Sequence, residues 1–408
     1  MPIYRLATIL LLFVTLFAPP VAADLQTADG GGDRATTPAT AVATLTAILE
    51  AERADAGLPA MAGAVIVEGR TLAVAATGAR KAGDPTPVTA DDRFHLGSCT
   101  KAMTAVLIGQ AIDQEALRWD TTLAEVFPEL VDVMRPPYRE VTIERLLTHR
   151  AGFPPSGRSW PEGMTYQQVH RLPGSSREQR YAYLRRILAQ PPEEGDNGEG
   201  YRYSNAGYTA LGVALEQIYD QSWETVIAEK LFVPLGMTSA GFGAMGDADR
   251  LDQPWQHRQG RQEGTYLPVT PGPMADNPDA IGPGGKVHAS MADWARFIEA
   301  MLVGARGQSA LMMAPETFER LLTPPAGGDY ACGWNVRERD WGGGRVYSHT
   351  GTNNMNYAVV WLAPQINGAV MVATNAAGDE VGKVCDQAVW KAIQAFLVGG
   401  GETANGRE

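Results

Sequence analysis

The chain has 408 residues, 45% of them hydrophobic, and carries 34 basic against 46 acidic side chains, a net charge of −12. That length can bury a large core and permits two or three domains, or interleaved segments of one compact body. The acidic balance repels phosphate backbones and argues against nucleic acid as a partner.

Met1 to Ala23 reads as a secretory signal. Arg5 gives the positive start, Leu6 to Phe17 an apolar run of 12, and Val21-Ala22-Ala23 small residues for cleavage. The run is too short to span a bilayer, so export to the periplasm or medium is expected, with no stable membrane span in the mature chain. Residues 24–38, rich in Gly, Thr, Ala and Asp, read as a flexible lead-in. Ala39 to Ala56 has helical apolar spacing (Val42, Leu45, Ile48, Leu49). Met61 to Val67 and Thr71 to Ala76, joined by Glu68-Gly69-Arg70, predict a hairpin. A helix is expected from near Ser98 through Met103, Val106, Leu107 and Ala111.

The middle, about 120–240, reads as mainly helical, with runs at 141–149, 179–189 and 208–219. Gly243 to Lys286, dense in Gly, Pro and Asp, predicts long loops. Ser290-Met291-Ala292-Asp293 forms a capping-box signal before another helix. Strands are expected at 330–336, 345–349, 356–362 and 369–374, then an amphipathic helix from Val381 to Leu397 and a frayed tail at 399–408. Strand-rich ends bracketing a helical centre imply an α/β (α+β) body over 39–398. If the end strands share a sheet, the helical part is an insertion and the cleft beside it the natural site.

Three short strings carry the chemistry: Ser98-Cys99-Thr100-Lys101, Tyr203-Ser204-Asn205 and His349-Thr350-Gly351. Of 11 serines, only Ser98 has a lysine three positions on; that alone is weak, but the ordered trio arises by accident roughly once in a thousand. Residues three apart on a helix share a face, so the Lys101 amine can reach the Ser98 hydroxyl. Lysine works as a base only if burial or a neighbouring cation lowers its pKa, and Leu96, Ala102, Met103 and Ala105 favour burial. The Ser98 N–H at a helix start and the Thr352 N–H just after Gly351 suit an oxyanion hole. Tyr203 is either a proton shuttle or a core tyrosine. Asn205 is suited to a substrate amide and to holding Lys101. His349 would be a polar or weakly cationic wall, strengthening anion binding as pH drops through about 6.5 if it protonates there. Whether Lys101 or Tyr203 takes the first proton is left open, since the two can titrate together.

No histidines or cysteines pair at metal-ligand spacing, so no zinc site is expected. Cys99, Cys332 and Cys385 form an odd set; one bridge, Cys332 to Cys385, is compatible with an oxidising compartment. No serine sits in G-x-S-x-G, which argues against an α/β-hydrolase.

From Ala39 to Leu397 the chain resembles the serine β-lactamase and penicillin-binding-protein superfamily, in the branch of class C β-lactamases, D-Ala-D-Ala carboxypeptidases and esterases. Besides the trio, the resemblance rests on Phe94-His95-Leu96-Gly97, Leu146-Leu147-Thr148-His149 with Ala151-Gly152, Val233-Pro234-Leu235-Gly236-Met237, and Gly284-Gly285 before Ser290. It implies a mostly antiparallel sheet flanked by helices, an inserted helical domain, and an acyl-serine mechanism without cofactor. By position it makes Ser98 the nucleophile, Lys101 and Tyr203 its proton-handling partners, Asn205, His349, Thr350, Gly351 and Thr352 the substrate contacts, and the Ser98 and Thr352 amides the oxyanion hole. His349 replaces the lysine of most β-lactamases, which disfavours efficient β-lactam hydrolysis. The expected substrate is a small molecule or peptidoglycan-derived peptide: an ester, a D-amino-acid peptide or a lactam. The rival reading is a slowly acylating or non-hydrolysing peptidoglycan or β-lactam sensor. Oligomeric state is not legible.

Overall fold

The computed structural model describes residues 37–155, 160–161, 163–192, 200–262 and 264–398. The expected signal segment, nearly all of the lead-in and the C-terminal tail lie outside these. The strands are β1 (Ala60–Val67), β2 (Arg70–Gly78), β3 (Arg93–His95), β4 (Gly241–Phe242), β5 (Gln256–Gln259), β6 (Tyr266–Val269), β7 (Val287–Ser290), β8 (Asn335–Arg339), β9 (Gly344–Thr352), β10 (Tyr357–Ala363), β11 (Gly368–Thr374) and β12 (Ala376–Ala377).

Strands from the two ends of the chain share one six-stranded sheet, in the order β2-β1-β11-β10-β9-β8. Every neighbouring pair is antiparallel. Side chains alternate between faces along a strand, and here both faces are covered. Val370 and Val372 meet Leu45, Leu49 and Val389 of the helices Pro38–Asp55 and Val381–Phe396. Ala369, Met371 and Ala373 face the larger core, with Met103 and Leu107 of helix Thr100–Asp113 and Ile298 of helix Met291–Ala305. That double cover explains why β11 is buried along its whole length and reads as an unbroken apolar run.

The helical stretch from Thr100 to Leu235 leaves the sheet region at β3 and returns at β4, and both strands pair with β7. Inside it Arg180 is fully buried, its guanidinium bonded to Glu216 (2.8 Å) and Glu224 (2.6 Å) and to the Asp279 carbonyl (2.7 Å). Those bonds tie helix Ser176–Leu188 to helix Asn205–Tyr219 and to the strap Asp279–Gly284. Such a buried cation persists because it is paired.

Three expectations shift. The strand expected at 330–336 starts only at Asn335, because the chain from Tyr330 doubles back to form a bridge with Asn335 itself. The stretch Gly243 to Lys286 is not all loop: β5 and β6 pair, and β5 joins β12 in a small sheet. Ser290 caps the following helix by accepting the Asp293 N–H at 3.2 Å. The return half of the capping box gives way to tertiary structure, since the Asp293 carboxylate accepts from the Ser239 N–H and hydroxyl, both at 2.6 Å. No described helix is long and apolar enough to cross a membrane.

Candidate active site

Ser98 sits in a tight turn, Gly97–Cys99, that leads into helix Thr100–Asp113. Lys101 lies one turn on, fully buried, and its Nζ touches three oxygens: Ser98 Oγ at 3.1 Å, Asn205 Oδ1 at 2.7 Å and the Gly284 carbonyl at 2.6 Å. Burial brings the amine down to about 7. A neutral amine has two N–H bonds and one lone pair. The two carbonyl-type oxygens take the N–H bonds, which leaves the lone pair for the Ser98 proton. The strap that supplies Gly284 is laced to the same helix: Thr104 donates to the Pro283 carbonyl (2.7 Å), and Thr100 Oγ1 accepts from Val287 N–H (3.1 Å).

Tyr203 and Asn205 approach from the helical region. Tyr203 lies in the irregular stretch just before the extended cap residue Ser204, whereas Asn205 already belongs to the helix that follows Ser204. The two side chains therefore take different directions. Tyr203 and Ser98 both line the cavity, while Asn205 turns to Lys101. The Lys101 ammonium position lies 4.7 Å from the Tyr203 ring centre. Burial pushes the Tyr203 phenol far up, so it stays protonated across the accessible pH range. His149 packs on the same ring, with centres 4.3 Å apart, and its Nδ1 accepts the Ser204 N–H at 3.2 Å.

The last motif lies on β9. The β8 partnership stops at Ser348, while β10 continues along the other side to Thr352. The outer edge of 349–352 thus carries no described strand and opens into a cavity of about 320 Å³. Ser98, Tyr201, Tyr203, Tyr330, Asn335 and this edge line it. The edge also presses on the nucleophile turn. A Cβ on Gly351 would stand 2.0 Å from the Leu96 carbonyl and 2.7 Å from Ser98 N, and one on Gly97 (φ +49°) would stand 2.3 Å from Thr352 N. Only glycine permits so close an approach, which brings the Ser98 and Thr352 amides together.

His349 corrects an expectation. It is buried, and burial holds its imidazole at about 3, far below the range where histidine usually charges. Its Nδ1 donates to the Thr350 carbonyl at 2.6 Å, and its Nε2 accepts from Tyr330 Oη at 3.1 Å. The ring is therefore a neutral, fixed wall rather than a weak cation. Cys99, beside the nucleophile, is buried with its thiol toward the His349 carbonyl (3.7 Å). Cys332 and Cys385 are free and belong to the cores on opposite faces of the sheet, which rules out the bridge considered above. Among the described residues, no group of three His, Cys, Asp or Glu is placed to hold a metal.

Sequence reasoning gave no role to Tyr201, Tyr330, Asn335 or the Gly284 carbonyl. Tyr201 carried a usable signal, standing two residues before Tyr203. Tyr330 and Asn335 carried none, since the doubled-back turn alone brings them to the cavity.

The family model described as Beta-lactamase matches residues 45–394, and the chain belongs to that family. Among curated proteins it is similar to penicillin-binding protein 4 of Amycolatopsis lactamdurans, 27% identical over 80% of this chain and 83% of that protein. It is also 27% identical to the unguisins hydrolase ungD' of Aspergillus campestris, over 71% of this chain and 54% of that protein. Among solved structures the fold matches a D-amino acid amidase from Ochrobactrum anthropi (TM-score 0.66, 18% identity, 87% of this chain and 99% of that one). It matches an octameric penicillin-binding protein homologue from Pyrococcus abyssi equally well (TM-score 0.68, 22% identity, 87% and 79%).

Proposed function

We propose that this member of the Beta-lactamase family is a serine hydrolase that forms an acyl-serine at Ser98 and takes esters or D-amino-acid amides in preference to β-lactams and to peptides with a free carboxylate beside the scissile bond. The observation that carries this is the buried Lys101 amine, 3.1 Å from Ser98 Oγ and held at about 7. In this reading the amine takes the Ser98 proton as the oxygen attacks the carbonyl carbon. The negative charge that develops on the carbonyl oxygen falls between the Ser98 and Thr352 amides. Tyr203, always a phenol, passes a proton to the leaving group and is replenished from Lys101. Water then repeats the sequence on the acyl-serine and releases the acid.

The substrate preference rests on charge. None of the described residues lining the cavity is a lysine or arginine, and His349 is neutral. A carboxylate next to the scissile bond, as in a penicillin, finds no permanent cation there. Acyl donors without that carboxylate lose nothing. One relative in fold, the D-amino acid amidase from Ochrobactrum anthropi, agrees with this preference.

A fluorophosphonate probe tests the core of the reading: one adduct on Ser98 is expected by intact mass and peptide mapping, and none in Ser98→Ala. An unmodified wild-type protein after long incubation would falsify it. A panel of p-nitrophenyl esters, D-amino-acid amides, D-Ala-D-Ala peptides and nitrocefin ranks the substrates; nitrocefin turned over fastest would reject the preference. We also propose export, on the strength of the Met1–Ala23 segment. N-terminal sequencing of protein from the periplasm should begin after Ala23, and an intact Met1 would reject it.

A further inference from the structure

Behind the reactive face lies a buried polar cluster that the proposed mechanism does not use. His95 ends β3, fully buried, two residues before Gly97. Its Nδ1 accepts the Gly97 N–H at 3.0 Å, which puts the ring proton on Nε2. That Nε2 lies 2.7 Å from Oδ1 of Asp276, itself 1% exposed. The same Oδ1 accepts from Asn353 Nδ2 at 3.1 Å. Asn353 directly follows Thr352 and is further held by Gln256 Oε1 (2.7 Å), while its own Oδ1 accepts the Met355 N–H (3.2 Å). A third arm runs through the neighbouring residue. Asn277 N–H donates to Asp276 Oδ1 at 2.7 Å, and Asn277 Nδ2 donates to the Gly285 carbonyl at 2.7 Å, one residue beyond the Gly284 carbonyl that holds Lys101.

One carboxylate therefore anchors three segments that are far apart in sequence and meet at Ser98. Two of them carry the paired amides, and the third carries an acceptor for the base. We propose that Asp276 is the positioning residue of this site: through His95 and Asn353 it fixes the spacing between the Ser98 and Thr352 amides, so its removal weakens stabilisation of the transition state rather than binding of the substrate. Two facts favour this over a merely structural cluster. Two arms end on the segments of the two amides, and the third ends beside the carbonyl that holds Lys101. Glycines at 97 and 351 leave those segments in direct backbone contact, with no side chains of their own to set the gap. Sub-ångström errors there cost reactivity steeply, up to about 10²-fold for a shift near 1 Å.

This inference rests on the acyl-serine reading above, and the test separates the two. Wild type, Asp276→Ala, Asp276→Asn and Asn353→Ala are compared by kcat and KM on one ester, by the fluorophosphonate labelling rate per folded molecule, and by inhibition with phenylboronic acid, whose serine adduct is tetrahedral. Asp276→Ala is expected to lose about 10- to 100-fold in kcat with KM changed less than about threefold, and to lose boronate affinity by the same factor as kcat/KM. Asp276→Asn, which keeps an acceptor oxygen in place, is expected to recover most of the loss. If Asp276→Ala does not fold, Asn353→Ala cuts the Thr352 arm alone and is expected to show the same split. Labelling and kcat unchanged per folded molecule in these variants overturn the inference, as does a loss confined to KM. A wild type that never labels at Ser98 overturns both the inference and the reading beneath it.

Discussion

Tyr330 fixes His349 in one tautomer: the phenol donates to Nε2 while Nδ1 donates to the Thr350 carbonyl, so the ring has no free position for a second proton. Burial and the nearby Lys101 oppose charging as well, and the imidazole sits at about 3. Its NMR ring resonances should show no shift of imidazolium size from pH 5 to pH 8, only the smaller response to Lys101 titrating near 7. A titration with a midpoint near 6.5 would show that the wall is cationic after all.

Replacing Tyr330 with phenylalanine leaves the buried His349 Nε2 acceptor without its donor. An unpaired buried acceptor costs about 1–3 kcal/mol. Tyr330→Phe should therefore melt at a lower temperature than wild type and lose reactivity as the β9 edge loosens. An unchanged melting temperature would mean that water takes over the contact.

Lys101 sets the acid limb of the pH profile. The free amine is the base, and it disappears as pH falls through about 7. The rate constant kcat/KM should drop about tenfold per pH unit below that point. Tyr203 lies too high to add a second inflection near neutrality. A profile flat from pH 5 to 8 would remove Lys101 from the proton path.

The same shift predicts a stability slope. The amine is lowered from an ordinary value of 10.5 to about 7, so between those pH values the unfolded chain binds a proton that the folded chain has released. More protons on the unfolded state means stability rises with pH across that window, and the cost of burying the amine is fully felt below it. Urea melts at pH 7 and pH 10 should show wild type gaining more than Lys101→Met, which lacks the titrating group. Equal gains would place the Lys101 pKa at its ordinary value.

A methyl group at Gly351 would collide with the Leu96 carbonyl and with Ser98 N. Gly351→Ala must push β9 away from the nucleophile turn. A loss of about 10²-fold in kcat is expected, the scale of losing one oxyanion donor. Retained activity would mean the two amides need not be so near.

Arg180 offers a test away from the reacting atoms. Arg180→Ala leaves Glu216 and Glu224 facing each other in the helical region and should cost about 3–5 kcal/mol of stability. Chemical denaturation reads this directly. A loss below about 1 kcal/mol would show that water replaces the guanidinium.

The sheet, its flanking helices and the trio were legible because each depends on local pattern. Short β-branched apolar runs marked β10 and β11, helical spacing marked Pro38–Asp55 and Val381–Phe396, and fixed offsets linked Ser98 to Lys101. What stayed hidden depends on contacts between distant segments. Nothing within the segment 276–286 says that Gly284 will hold Lys101 or that Asp276 will reach His95. The neutrality of His349 was also hidden, since a lone histidine on a strand shows neither its burial nor a tyrosine 19 positions upstream. Tyr330 itself looked like part of a strand until the chain doubled back.

All three thiols are sheltered and unjoined, each in its own place within the packed interior. Assembly of this protein therefore asks nothing of an oxidant or a disulfide isomerase. The polypeptide should mature alike in reducing and oxidising surroundings, and dithiothreitol should leave its turnover untouched.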